Sequence, residues 1–212
     1  KKFHHNIWVA FWPGHETGIM EGSAWFVDHY WEELSQNGII YINVDSPGLK
    51  DAEVFTATTS PQVFRFHQKV VKAVLGEKIT EYQRLARTGD QSFFGVGVPS
   101  INGRHNPTPE RKKEWHGATL GWWYHSAKDT WDKMDPENLV SDARMYMGYA
   151  LHLAGSILLP FEYVFSADEV INRLQELQKL AGEAFDLTRE IKWAKAYRQR
   201  ALKLRRLTDK LA

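Results

Sequence analysis

Phe11-Trp12-Pro13-Gly14-His15-Glu16-Thr17-Gly18-Ile19-Met20-Glu21-Gly22-Ser23 decides how the chain is read. The residues leading into it, Ile7-Trp8-Val9-Ala10-Phe11-Trp12, form an unbroken apolar run of strand length, which predicts a buried strand. Pro13 and Gly14 end that run. His15 and Glu16 follow at once, two side chains able to bind a metal or handle a proton. A glycine-rich turn and an apolar-periodic helix come next. Open α/β sheets place their ligand-binding groups at the carboxyl ends of strands, so His15 and Glu16 are the first candidates for a site.

Working outward, Val27, Tyr30, Trp31 and Leu34 fall at i, i+3, i+4, i+7 and predict one face of an amphipathic helix, stopped at Asn37-Gly38. Ile39 to Val44 reads as a second buried strand, delivering Asp45 to its carboxyl end before the turn Ser46-Pro47-Gly48. The strand–helix–strand order implies a parallel pair joined by a right-handed crossover, with Glu16 and Asp45 at the same sheet edge. Residues 54–59 read as a short strand or loop. Ser60-Pro61 opens a helix with Val63, His67, Val70, Val71 and Val74 inward and Gly76 at its end. Residues 79–85 carry no decisive pattern. Gly97 to Ile101 reads as a short strand, and 102–121 as a long loop of the kind that serves as a lid or specificity wall. Trp122-Trp123-Tyr124-His125-Ser126 is an aromatic cluster ending in histidine. Asp135-Pro136 caps a helix with a stripe of Ala143, Tyr146, Met147, Ala150, Leu151, Ala154 and Leu158, and Pro160 ends it.

From Ser166 the composition shifts to Leu, Ala, Lys, Arg and Glu. Val170, Leu174, Leu177, Ala181, Ala184 and Phe185 make one stripe, and Ile191, Ala194, Tyr197, Ala201, Leu204 and Leu211 another. These predict a helical hairpin whose apolar face packs on its own domain or on a second copy. The expected architecture is α/β: a mixed, largely parallel sheet sandwiched by helices over residues 1–160, then a helical segment over 161–212. With 212 residues, 43% of them hydrophobic, there is material for a real core, and a formal charge of +1 argues against nucleic acid as the main partner. There is no cysteine, hence no disulfide and no thiolate site. No apolar stretch reaches the roughly 18 residues of a membrane span. The opening of the chain almost directly on a core-type strand raises the expectation of a further segment upstream.

Zinc takes imidazole nitrogen and carboxylate oxygen, and Glu16, Asp45 and His125 are donors of those types at strand-end or loop positions. Their order and context resemble the co-catalytic zinc aminopeptidases, metallopeptidase family 28, which include bacterial leucine aminopeptidases, glutamate carboxypeptidase and the transferrin receptor. His15-Glu16-Thr17-Gly18 to Gly22-Ser23 resembles the family's G-E-E-x-G-x-x-G-S segment, with His15 where the family has its general base and Glu16 at a zinc-ligand position. Asn43-Val44-Asp45 is similar to the N-x-D strand end whose aspartate binds the second zinc. Asp90 to Pro99 resembles the S-D-H-x-x-F…G-I-P segment, with Gln91 in the usual histidine position. Tyr124-His125-Ser126-Ala127-Lys128-Asp129-Thr130 resembles Y-H-T-x-x-D-T, where the histidine shares the zinc of the motif glutamate and the tyrosine hydrogen-bonds the tetrahedral intermediate. Ser156 to Phe161 followed by helices resembles the glutamate carboxypeptidase and transferrin-receptor branch, in which the terminal helices dimerise.

The resemblance implies two zincs per complete site and hydrolysis of a peptide or N-acyl amino acid. The candidate substrate contacts are Trp122, Trp123, Asp90 and Arg104, and the resemblance implies a homodimer through the C-terminal helices. It also implies an upstream histidine and a bridging aspartate, supplied by an upstream segment or a second chain. His15 is open to three roles: base, ligand, or mark of lost activity. A binding or dimeric scaffold without catalysis is the alternative.

Overall fold

The computed structural model describes residues 2–76, 82–85 and 90–211. Its sheet runs in the order β1-β4-β2-β3, with β1 at Tyr41–Asn43, β2 at Val54–Thr59, β3 at Gln83–Arg84 and β4 at Ser100–Asn106. β1 pairs parallel with β4, β2 antiparallel with β4, and β2 parallel with β3. The sheet is therefore mixed, as expected.

Side chains alternate across a strand, and the two faces collect different partners. Ile40, Ile42, Ile101, Phe55 and Ala57 join one cluster with Val70 and Val71 of α4 (Phe64–Leu75) and Met145, Tyr149 and Leu153 of α7 (Pro136–Ala154). On the other face, Tyr41 and Val98 meet Val27 of α2 (Glu21–His29) and Phe93 of α5 (Asp90–Phe94), with Leu34 of α3 (Trp31–Asn37) alongside. This gives the helix–sheet–helix sandwich. Ser60-Pro61 starts a 3-10 turn that runs into α4, and Gly76 stops α4 in the left-handed conformation. α8 (Tyr163–Ala181) and α9 (Thr188–Leu211) run antiparallel, Arg198 bonding Asp168 at 2.6 Å and Gln178 holding the connecting turn through Gly182 O, Phe185 O and Leu187 N. Phe165 stacks on Phe64 and roots the hairpin on α4.

Four expectations are corrected. Residues 7–12 form no strand: Trp8 is 56% exposed and Phe11 93%. A strand exists by pairing, and among the described residues no ladder reaches this run; a bond from Trp12 Nε1–H to the Tyr41 hydroxyl ties it to β1. The parallel crossover from it to β1 is accordingly not formed. The helix expected through Val27 to Leu34 is two helices, α2 and α3, broken at Tyr30. The expected loop 102–121 begins as β4, which runs to Asn106, and contains α6 (Pro109–Glu114), capped by Thr108 Oγ1 on Arg111 N. The buried face of α7 is rotated from the predicted stripe. It carries Asp142, Met145, Tyr146, Tyr149 and Leu153, whereas Met147 and Leu151 are exposed.

Candidate functional site

Pro13 and Gly14 turn the chain into the single-turn helix α1 (His15–Gly18), which presents Glu16. Gly14 sits close under that carboxylate, since a Cβ there would lie 3.0 Å from Glu16 Oε2. Ile19 and Met20 follow in succession in the left-handed region, at φ 48° and 66°, an uncommon conformation for such side chains.

A second segment, Tyr124-His125, meets it. His125 also has positive φ, 60°, and its ring stacks on Tyr124 with centroids 3.8 Å apart. The Tyr124 hydroxyl donates to Glu16 Oε1 at 3.0 Å, His125 Nε2 lies 3.2 Å from the same oxygen, and His15 Nε2 3.5 Å from it. Residues more than a hundred positions apart thus meet at one carboxylate oxygen, with strained backbone on both sides, a pattern that clusters at functional sites. The Glu16 carboxyl is held below its ordinary range by its own backbone N–H, against a partial loss of solvation, with Tyr124, His15 and His125 adding to the effect. The Tyr124 phenol is pushed up to about 12, by burial first and then by the Glu16 carboxylate it donates to. It stays a proton donor throughout the neutral range.

The charges of Asp45 and Arg104 also act on Tyr124, the first raising and the second lowering its pKa. Asp45 follows β1 and is half-buried. Ser46, at φ 50°, donates its hydroxyl to Asp45 Oδ1 at 2.9 Å. Arg104 of β4 donates from Nη1 to Asp45 O at 3.0 Å and faces Oδ2 at 3.5 Å. Beneath them lies Asp142, which falls outside the predicted stripe of its helix. It is fully buried. A carboxylate at a buried helix position, one turn from Met145, was the available signal, because such a group is retained only where its oxygens are satisfied.

Of the expected substrate contacts, Trp122 is 60% exposed beside the Tyr124 segment. Trp123 is instead core: it packs with Leu49, Ala52, Trp115 and Leu120, and the exposed Trp122 ring meets it edge-on. Asp90 opens α5, and its side chain lies outside the described residues.

Glu16 and His125 are a carboxylate and an imidazole side by side, the donor types zinc prefers. They fit the metal in kind. Among the described residues, no group of three or more such side chains is placed to hold a metal ion together, whereas a catalytic zinc takes three protein ligands. Both imidazoles are turned to the carboxylate oxygen itself.

A carboxylate, two imidazoles and a phenol gathered at one point define a class of polar site able to accept and donate protons. Comparison with known proteins specifies the class further. The family model for Peptidase family M28 matches residues 1–149, and the chain belongs to that family. A probable glutamate carboxypeptidase of Arabidopsis thaliana, AMP1, is 27% identical over 197 residues, covering 82% of this chain and 26% of its own length. Two structures of a zinc aminopeptidase from Bacillus subtilis superpose with TM-scores of 0.55 and 0.53 at 18% and 16% identity, covering 66% of this chain and 34% and 35% of theirs. At that identity they show the shared fold. The chain spans about a quarter of the length of the plant relative and about a third of the bacterial ones.

Proposed function

We propose that this chain forms part of a zinc-dependent peptidase that hydrolyses peptide or amide bonds, in the manner of an aminopeptidase or carboxypeptidase. The observation that carries the reading is the meeting of Glu16, Tyr124, His125 and His15 at one oxygen, in a family of peptidases. Glu16 and His125 would hold one zinc and Asp45 the second, with the further ligands, a histidine and a bridging aspartate, coming from an upstream segment or another chain. When bound, zinc polarises the scissile carbonyl and makes water a nucleophile near neutral pH. His15 would serve as the base of the site, accepting a proton from the attacking water. Tyr124, a neutral phenol held against Glu16, donates to the oxyanion of the tetrahedral intermediate. Trp122 and Arg104 contact the peptide or N-acyl amino acid. The exposed stripe of Trp193, Tyr197, Leu204, Leu207 and Leu211 on α9 is the face through which two copies pair.

The replacement of a carboxylate by His15, and the packing of both imidazoles against Glu16, favour a second reading, a binding scaffold without turnover. Assay of the protein on aminoacyl anilides and N-acyl amino acids, with and without chelator, separates the two. Chelator-sensitive turnover lost in Glu16→Ala supports the peptidase. Absence of turnover over a broad panel supports the scaffold.

A further inference from the structure

Asp142 sits in the middle of α7 with no exposure, and both its oxygens are used. Oδ2 accepts the Gly48 backbone N–H at 2.8 Å. Oδ1 accepts the His105 backbone N–H at 3.0 Å and lies 2.7 Å from His105 Nδ1, which donates to it. Gly48 is three residues past Asp45, on the loop leaving β1; His105 adjoins Arg104 on β4. One carboxylate therefore fastens together the two backbones that carry an ion pair above it, Arg104 Nη1 against Asp45 O and Oδ2. The loop is pinned to the same helix by other bonds. Asp135 N donates to Gly48 O at 2.9 Å, and Asn138 Nδ2 donates to Leu49 O and Ala52 O. None of these reaches β4. Gly48 is shaped for the contact: its φ is +77°, and a Cβ there would lie 2.8 Å from Leu139 Cβ.

We propose that Asp142 is a positioning residue for the catalytic site, fixing Asp45 and Arg104 relative to each other through Gly48 and His105. It does not touch substrate or metal. The proposal rests on the reading of Asp45 as a zinc ligand and adds to it the group that sets where that ligand stands. An amide cannot replace the carboxylate. With its NH2 toward Gly48 it meets one backbone N–H, and with its NH2 toward His105 it meets another, so either orientation leaves a buried donor unpaired.

The test uses the full chain in four forms: wild type, Asp142→Asn, His105→Ala, which removes one donor to Asp142 and serves if Asp142→Asn does not fold, and Met145→Ala, a core truncation on the same helix face that leaves the clamp intact. Two readouts are taken, amide hydrogen exchange resolved at Gly48 and His105, and the dissociation constant for zinc alone. In Asp142→Asn the Gly48 and His105 amides should exchange at least ~10-fold faster relative to the α4 amides, and zinc affinity should fall by about 10- to 100-fold, the range for groups that orient a metal ligand. His105→Ala should shift both in the same direction by about threefold to tenfold, the effect of one lost hydrogen bond. Met145→Ala should change exchange globally and leave zinc affinity within about twofold. Unchanged exchange at Gly48 and His105 in the clamp variants overturns the proposal. So does loosened exchange with unchanged zinc affinity, or a Met145→Ala loss as large as that of Asp142→Asn. Wild type that takes up no zinc overturns the zinc reading instead, and the exchange data then still decide whether Asp142 holds the two segments together.

Discussion

His67 makes the stability of this protein fall in mild acid. It sits on α4 with no exposure, its Nδ1 2.6 Å from the Tyr149 hydroxyl and its Nε2 without a hydrogen-bond partner. Phe55, Phe64 and Tyr149 surround the ring. Burial pulls its pKa down from 6.5 to about 4, because a charged imidazole there has one proton with no acceptor. The unfolded chain binds a proton on His67 near pH 6.5; the folded chain refuses it until about pH 4. The contribution is thus fully present above pH 6.5 and is lost as pH falls through that window. A depression of this size corresponds to about 3 kcal/mol, at 1.36 kcal/mol per unit. Urea unfolding of wild type and His67→Gln at intervals from pH 7.5 to 4 measures it. At pH 7.5 the variant should be the less stable, having lost packing and the Tyr149 bond. Toward pH 4 the gap should close by about 3 kcal/mol, because glutamine has no proton to take up. Parallel stability curves for the two proteins would refute the reasoning.

Trp123→Ala should cost about 3–5 kcal/mol, as expected for emptying a buried indole site, while Trp122→Ala should stay within about 0.5 kcal/mol; thermal unfolding compares them. Gly48→Ala should cost about 2 kcal/mol or more, from the positive φ and the overlap with Leu139, checked by denaturant midpoint. Tyr124→Phe should lower turnover by about 10²–10³-fold, the effect of losing one oxyanion donor, and an ultraviolet titration of wild type should retain one more protonated phenol above pH 11 than that variant. Leu204→Asp with Leu207→Asp should convert a homodimer to monomer in sedimentation, with the far-ultraviolet spectrum unchanged.

Where apolar residues keep a regular period, sequence and structure agree: α4, the α8–α9 hairpin and β1 are legible, α7 is legible as a helix, and residues 54–59, open between strand and loop in the sequence, form β2. β4 is longer than it reads because its core face is Ile101, Gly103 and His105, with Asn102 and Arg104 between. Glycine and histidine hide that alternation. The face of α7 was misplaced for a related reason. Asp142, polar and outside the predicted stripe, lies at the buried centre, and its burial follows from N–H groups of Gly48 and His105, elsewhere in the chain, that no local pattern records. The run 7–12 has the composition of a strand, but composition does not supply a pairing partner. At the site, the Glu16 and His125 segments were legible as motifs. Their meeting at one oxygen with His15 and Tyr124, the anchoring of Asp45 by Ser46 and Arg104, and the burial of Trp123 are tertiary facts.

The central claim is that Glu16 and His125 are metal donors. Elemental analysis of zinc per chain, on wild type, Glu16→Gln and His125→Asn after zinc is supplied and excess removed, tests it most directly. The account predicts zinc bound to wild type and lost from both variants with the fold intact. No zinc on wild type, or equal zinc on all three, would contradict it.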